Sequence, residues 1–308
     1  MKRPMKRPMG RTPALAIFRV FAAAVLLGLG PCAHAAYSCT VSATSTGLIY
    51  EAPSPRDVTG SATLTCTRSP GDASTLSYRL KATDGLHASG TNPIRRVRLG
   101  SSGNLLFYSL RRGASCNNNT NWRAPATGTT DVQTGTLNFG AGLVASTTLA
   151  YCNRVRVGAG GNPPAPAAGV YTDTFSIFAQ YPTNKAGALS PDAPVSLTVG
   201  VSNQCVFNSY PGSLVFNYTA FSSTAQTAST AFLLRCSTDL PWTITVDPAA
   251  TTLLGLRYEI APSPSSGIGN GNTGQSVTLT GTMQAGQAGA CATSFCTGSQ
   301  QHTVFIHY

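Results

Sequence analysis

The chain has 308 residues, of which 42% are hydrophobic and only 10% charged, and a formal net charge of +11. Six of the 21 basic residues and none of the 10 acids fall in the first 35 residues, so the remainder carries 15 − 10 = +5. That balance is too modest for a nucleic-acid binder, and no stretch after residue 35 is long and apolar enough to cross a membrane as a helix.

Residues 1–35 read as a secretory signal peptide. A basic stretch, MKRPMKRPMGRTPALAIFR, precedes the apolar run VFAAAVLLGLG, and Ala33-His34-Ala35 forms an A-x-A cleavage site with a mature start near Ala36. The apolar run is too short for a membrane span, and Pro31 argues against lipidation at Cys32. The doubled MKRP leaves Met1, Met5 and Met9 open as initiators. After Cys32 is removed, eight cysteines remain: Cys39, Cys66, Cys116, Cys152, Cys205, Cys236, Cys291 and Cys296. An even number in an exported chain reads as disulfides.

The rest of the chain is a series of short segments with period-two hydrophobicity: ATLTCT, LSYRLKA, LLFYSLR and YTDTFSIFAQY, then FLLRCS, WTITVD, LRYEIA and SVTLTGT. Gly, Pro, Asn and Ser interrupt them, and no stretch shows a helical period, which predicts an all-β fold. Two copies of one pattern are visible. Leu48-Ile49-Tyr50 begins nine residues after Cys39, and Leu214-Val215-Phe216 begins nine residues after Cys205. Leu64-Thr65-Cys66 then matches Leu234-Arg235-Cys236, and Leu106 to Leu110 matches Leu256 to Ile260. Finally, IFAQY at 177–181 matches VFIHY at 304–308. The expected organisation is two tandem immunoglobulin-like β-sandwich domains, 36–200 and 201–308. The repeat makes Cys39–Cys66 and Cys205–Cys236 equivalent bridges, leaving Cys116–Cys152 and Cys291–Cys296 within each copy. After Tyr181 the first copy continues through a Pro/Gly-rich loop into VSLTVGVS, one more strand. The second copy shows no counterpart after Tyr308, so it is expected to lack its final strand and to accept one from another chain along Val304, Ile306 and Tyr308.

These residues resemble a known family. Paired cysteines near the start, the L-x-Y-x-L strand, a Pro/Gly-rich stretch leading into Gly169-Val170-Tyr171-Thr172-Asp173, and a terminal strand ending in Tyr resemble the spore coat protein U domain of archaic (Csu-type) chaperone–usher pilus subunits. The second copy lacks G-x-Y-x-D, but PGSLVFNYTAF, DLPWTITVD and GQAGACATSFC look like the C-terminal pilin domain of two-domain tip subunits. The resemblance implies a periplasmic chaperone, an outer-membrane usher, and exchange of donor strands with the next pilin subunit at a cell-surface pilus. It also implies that each subunit fills its predecessor's groove with an N-terminal extension. With a mature start near Ala36, the residues ahead of Cys39 are too few to serve, so the expected place is the fibre tip, with the first copy as an adhesin in surface attachment and biofilm formation. The alternatives are a shaft or coat subunit without a ligand, or a free carbohydrate-binding sandwich.

Chemistry is sparse. Only His87, His302 and His307 follow the signal, the carboxylates are scattered singly, and G-x-S-x-G, H-E-x-x-H and P-loop patterns are absent, so neither an enzyme nor a cofactor is expected. Cys291, Cys296, His302 and His307 have zinc-type side chains. Their spacer is short, the compartment is oxidising, and the two histidines fall on opposite faces of a strand, so no metal is expected either. Basic charge concentrates in the first copy, 13 − 7 = +6 against 2 − 3 = −1 in the second. The arginines of IRRVRLG, LRRG and CNRVRVG are read as solvent-facing strand residues, with attraction to anionic surfaces as the functional alternative. Apolar residues in loops mark candidate surface-binding positions: Leu86, Trp122, Leu143 and Val144, with core packing an equal alternative for Trp122 because a Trp near that point resembles a core feature of the family.

Overall fold

The computed structural model describes residues 37–308 apart from 52–53, 89–93, 102, 117–120, 123–131, 157, 159–161 and 184–186. The expected signal peptide, 1–35, lies outside the described residues. Among those described there are nineteen strands and no helix, as expected of a Thr/Ser-rich chain whose apolar residues alternate.

Eleven strands form the first half: β1 (Ser38–Ala43), β2 (Thr46–Tyr50), β3 (Arg56–Thr67), β4 (Thr75–Ala82), β5 (Arg95–Leu99), β6 (Leu105–Arg112), β7 (Gln133–Asn138), β8 (Val144–Val155), β9 (Gly169–Tyr181), β10 (Ala188–Leu189) and β11 (Ala193–Val201). They run in the order β1-β3-β8-β6-β5-β9-β11-β2, with β4 on β9 and β7 on β4. Consecutive strands β1 and β2 stand at the two ends of this path, so the sheet curls into a sandwich. Its core includes Leu64, Leu80, Leu106, Tyr151, Phe175 and Leu197.

The second half contains β12 (Cys205–Ser209), β13 (Gln226–Cys236), β14 (Pro241–Asp247), β15 (Ala250–Leu253), β16 (Leu256–Ser263), β17 (Ser266–Ile268), β18 (Gln275–Met283) and β19 (Thr303–His307). One sheet runs β12-β13-β18-β16-β15 and the other β17-β14-β19. They enclose a separate core around Phe232, Leu234, Trp242, Ile244 and Val277. The two cores share no residue.

Four disulfides brace the molecule: Cys39–Cys66, Cys116–Cys152, Cys205–Cys236 and Cys291–Cys296. Two occupy repeated positions, joining directly opposed residues of β1 and β3 and of β12 and β13, with Cα atoms 4.0 Å apart in both. The arginines of β5 need a correction. Strand alternation turns Arg95 inward with Val97, where it is 4% exposed, while Ile94 is 45% exposed. The Arg95 guanidinium donates to the carbonyls of Thr83, Ala82 and Trp122 and lies 5.4 Å from the Phe175 ring centre. Three carbonyls and a ring face compensate for its lost hydration.

Candidate strand-acceptor site

The candidate site is built from two segments of the second half, whose counterparts in the first half flank one further strand. β19 pairs with β14 in the same way that β9 pairs with β4: Ile306 opposes Ile244 as Ala179 opposes Leu80, and Val304 opposes Val246 as Ile177 opposes Ala82. Tyr308 therefore stands at the position of Tyr181. In the first half, the other edge of β9 is occupied. β11 runs antiparallel to it from Ala193↔Ile177 to Val201↔Gly169, and β10 pairs with Gln180 and Tyr181. On its own far side β11 meets β2 in parallel, from Leu197↔Thr46 to Val201↔Tyr50. In the second half, the other edge of β19 pairs with no described strand. The counterpart of β2, residues 214–218, belongs to no strand.

Residue 214–218 side chains still alternate. Leu214, Phe216 and Tyr218 pack against the second core, whereas Val215 is 68% exposed. Gly281 on β18 makes room for them, since a Cβ there would come 2.5 Å from Phe216 Cζ. The Tyr218 hydroxyl accepts a bond from the Gln287 N–H at 2.9 Å. The burial differences are large. Tyr181 is 6% exposed, with its hydroxyl accepting from the Cys39 N–H at 3.1 Å, whereas Tyr308 is 60% exposed. Ile177 and Ala179 are fully buried, whereas Val304 and Ile306 are half-buried. Phe305, on the opposite face, is 45% exposed and stacks on His307. An edge of unpaired backbone groups beside an apolar row is suited to receiving an extended chain. β11 shows what fits. Ala193, Val195, Leu197, Val199 and Val201 point inward and are buried, alternating with exposed Pro194, Ser196 and Thr198.

The histidines are engaged singly. His302 Nδ1 donates to the Pro248 carbonyl at 2.8 Å, so Nε2 accepts from the Tyr258 hydroxyl at 2.7 Å, while His307 Nε2 bonds Thr245 Oγ1. Cys291 and Cys296 are bonded to each other. Among the described residues, Asp57, Cys116 and Cys152 are close enough together to hold an ion, but both sulfurs are spent in a disulfide.

The loop candidates separate. Trp122 is not a surface residue: it is fully buried in the first core, and its indole N–H donates to the Leu80 carbonyl at 3.1 Å. Leu86, Leu143 and Val144 are 73%, 44% and 59% exposed. Leu143 and Val144 sit at the end of the sandwich where β3 finishes, since Val144 opposes Thr67. That end also holds Cys39 and Tyr181 and lies opposite Val201, where the chain leaves for the second half. Arg68 fixes the turn. Its backbone N–H donates to Leu143, its guanidinium donates to the carbonyls of Gly142, Gly140 and Asp72, and it covers the Phe139 ring at 5.6 Å. Leu86 lies elsewhere, on a loop held to β9 by its N–H, which donates to Thr174 O and Asp173 Oδ1.

Two residues of this loop's anchor were not singled out by sequence reasoning as functional. Asp173, 2% exposed, also accepts from the Tyr108 hydroxyl at 2.7 Å, and Gly85 leaves it room, because a Cβ there would lie 2.1 Å from Asp173 Oδ2. Burial pushes the Asp173 carboxyl above its ordinary range, against the bonds from Tyr108 and the backbone that favour its ionised form. Burial also holds the Tyr108 hydroxyl well above its usual value. The only sequence trace of Asp173 was its place in the G-x-Y-x-D stretch.

The chain is similar in structure to the CsuC–CsuE chaperone–tip adhesion subunit pre-assembly complex from archaic chaperone–usher Csu pili of Acinetobacter baumannii, with 16% identity over 88% of this chain and 99% of that one and a TM-score of 0.43. It is also similar to the CupB6 tip adhesin from Pseudomonas aeruginosa (11% identity, 89% and 96% covered, TM-score 0.34) and to the CooA pilin subunit from enterotoxigenic Escherichia coli (12%, 53% and 99%, 0.33). No curated protein sequence matches it. Residues 24–177, half of the chain, match the Spore Coat Protein U domain, from ahead of β1 into β9, and the chain belongs to that family.

Proposed function

We propose that this protein is a two-domain subunit of a chaperone–usher pilus, with a self-complete first domain and a second domain that is completed by a strand from the next subunit. The observation that carries the reading is the paired contrast between Tyr181, buried beside an occupied edge, and Tyr308, exposed beside an open one. The incoming segment runs antiparallel to β19 and parallel to residues 214–218, as β11 does between β9 and β2. A periplasmic chaperone shields this edge during export, and an outer-membrane usher hands it to the next subunit. The first domain, its edge filled by β11, faces outward as the adhesive end of the fibre at the cell surface. Leu143 and Val144, held rigidly by Arg68 at the end farthest from the second domain, present an apolar contact to a surface.

The test is amide exchange on the full chain with and without a synthetic peptide of residues 188–201. Added peptide is expected to slow exchange at β19 and 214–218 and leave β9 unchanged. Equal rates with and without peptide would refute strand acceptance.

A further inference from the structure

We propose that the junction between the two halves of this chain is the template for the junction it makes with the next subunit, and that the Cys291–Cys296 loop, through Phe295, docks the body of that subunit. The inference rests on the strand-acceptance reading above and adds where the donating subunit comes to rest.

β11 ends at Val201, three residues (202–204) follow, and β12 begins at Cys205. The strand that completes the first half is therefore the segment immediately ahead of the second half's first strand. Viewed from the second half, β11 is an N-terminal extension inserted into a neighbour, covalently joined because that neighbour lies on the same chain. A strand arriving at β19 from another subunit would likewise be followed, after a short spacer, by its own sandwich.

The repeat also locates the contact. Counting back from Tyr308 and Tyr181, Cys296 falls at the position of Gly169 and Phe295 at that of Ala168. Contacts support the count. Tyr171, two residues after Gly169, opposes Leu99 on β5, and a Cβ on Gly298, two residues after Cys296, would lie 3.1 Å from Leu253 on β15. β15 flanks β16 as β5 flanks β6. The incoming strand's last residue thus sits beside Cys296, as Val201 sits beside Gly169.

In the first half, the loop just ahead of Gly169 is what the following body docks against. Ala165, 1% exposed, donates its N–H to the Gly271 carbonyl at 2.8 Å and accepts from the Thr238 N–H at 3.1 Å. Gly271, at φ +71°, admits this approach, since a Cβ would stand 2.6 Å from the Ala165 oxygen. The corresponding loop in the second half is closed by Cys291–Cys296 and tied at its base by the Ala290 N–H, which donates to Leu254 O at 2.7 Å. Thr293 Oγ1 donates to the Phe295 carbonyl at 2.7 Å. This stiff loop exposes 79% of Phe295, more than any other large apolar residue described. A rigid loop loses little entropy on binding, and an aromatic anchor contributes contact that a non-covalent junction needs and a covalent one does not.

The experiment places a photo-cross-linking benzoylphenylalanine at Phe295, at Tyr308 or at Leu86 of the full chain, in cells assembling fibres. All three residues are exposed, so the substitutions do not disturb packing. The Tyr308 probe is expected to capture an alternating apolar extension. The Phe295 probe is expected to capture the same subunit at the end of that extension or in its first strands, and the Leu86 probe neither. If Tyr308 captures the extension but Phe295 captures no part of that subunit, the docking inference fails and strand acceptance stands. If Tyr308 captures nothing from another subunit, strand acceptance itself fails.

Discussion

Tyr181 and Tyr308 close the same strand of the same repeated plan, yet one is 6% and the other 60% exposed. Tyr50 and Phe216 form a second such pair, the first fully covered and the second half-buried at the edge of its core. Both halves have the same bridge between their opening strands and the same register on the strand they share with β4 or β14. One strand, β11, makes the difference. The residues beside β11's place are covered in the first half while their counterparts in the second are more exposed, and 214–218 settles partly onto the second core.

The largest expected effect comes from erasing the difference. Appending a copy of residues 188–201 after Tyr308 through a flexible linker should raise the melting temperature of the second half by more than about 10 °C in calorimetry of the full chain. Four inward Val and Leu side chains at roughly 1.5–3 kcal/mol each are at stake, less the ordering cost of the strand. An unchanged melting profile would end the comparison.

The reverse experiment weakens the first half. Leu197→Ala truncates a fully buried side chain of β11 and is expected to cost about 2–5 kcal/mol there. Trp122 and Trp242 lie in different cores, so single-tryptophan variants followed through urea denaturation can assign the loss to one half. Equal destabilisation of both would show that the halves do not fold as separate units.

A smaller effect concerns pH. The folded-state pKa of Asp173 is raised, chiefly by burial, above the unfolded value of about 3.9. Its contribution is therefore fully present below about pH 4 and is lost as pH rises through the folded value. Asp173→Asn is expected to flatten this fall in the first half and leave the second unaffected. A wild-type stability curve that does not fall across this range would contradict the assignment.

The smallest effect on stability is expected from Leu143→Ser combined with Val144→Ser, within about 0.5 kcal/mol because both side chains are exposed. Attachment of assembled fibres to apolar surfaces should nevertheless drop. Undiminished attachment would favour a subunit without a ligand.

The plan of the fold was legible because its signals are local or repeated. Alternation marked β11 and β19, and the repeat aligned Cys39 with Cys205 and Tyr181 with Tyr308. The partners of these strands were less accessible. The parallel pairing of β2 with β11 joins segments some 150 residues apart and leaves no local trace. Trp122, in a polar Asn-rich loop, could be read equally as a surface anchor or as core. Only the fold brings the Leu80 carbonyl to its indole and the Tyr151 ring within 6.2 Å. Arg95 followed the alternation of β5, but the carbonyls that make an inward arginine tolerable come from distant segments.

The course of β11 has a mechanical consequence. If the proposed attachment through Leu143 holds, a gripped surface would pull on the end of the sandwich where β11 begins, while the rest of the fibre would pull at Val201, where it finishes. Tension therefore acts along the strand axis, and β11 can leave only by sliding past β9 and β2 together. All its ladder bonds share the strain at once and must fail together, whereas a strand peeled from one end would give them up in sequence. Under the proposed function the first half should hold as a clamp under pull, with resistance to flow set by the direction of one strand.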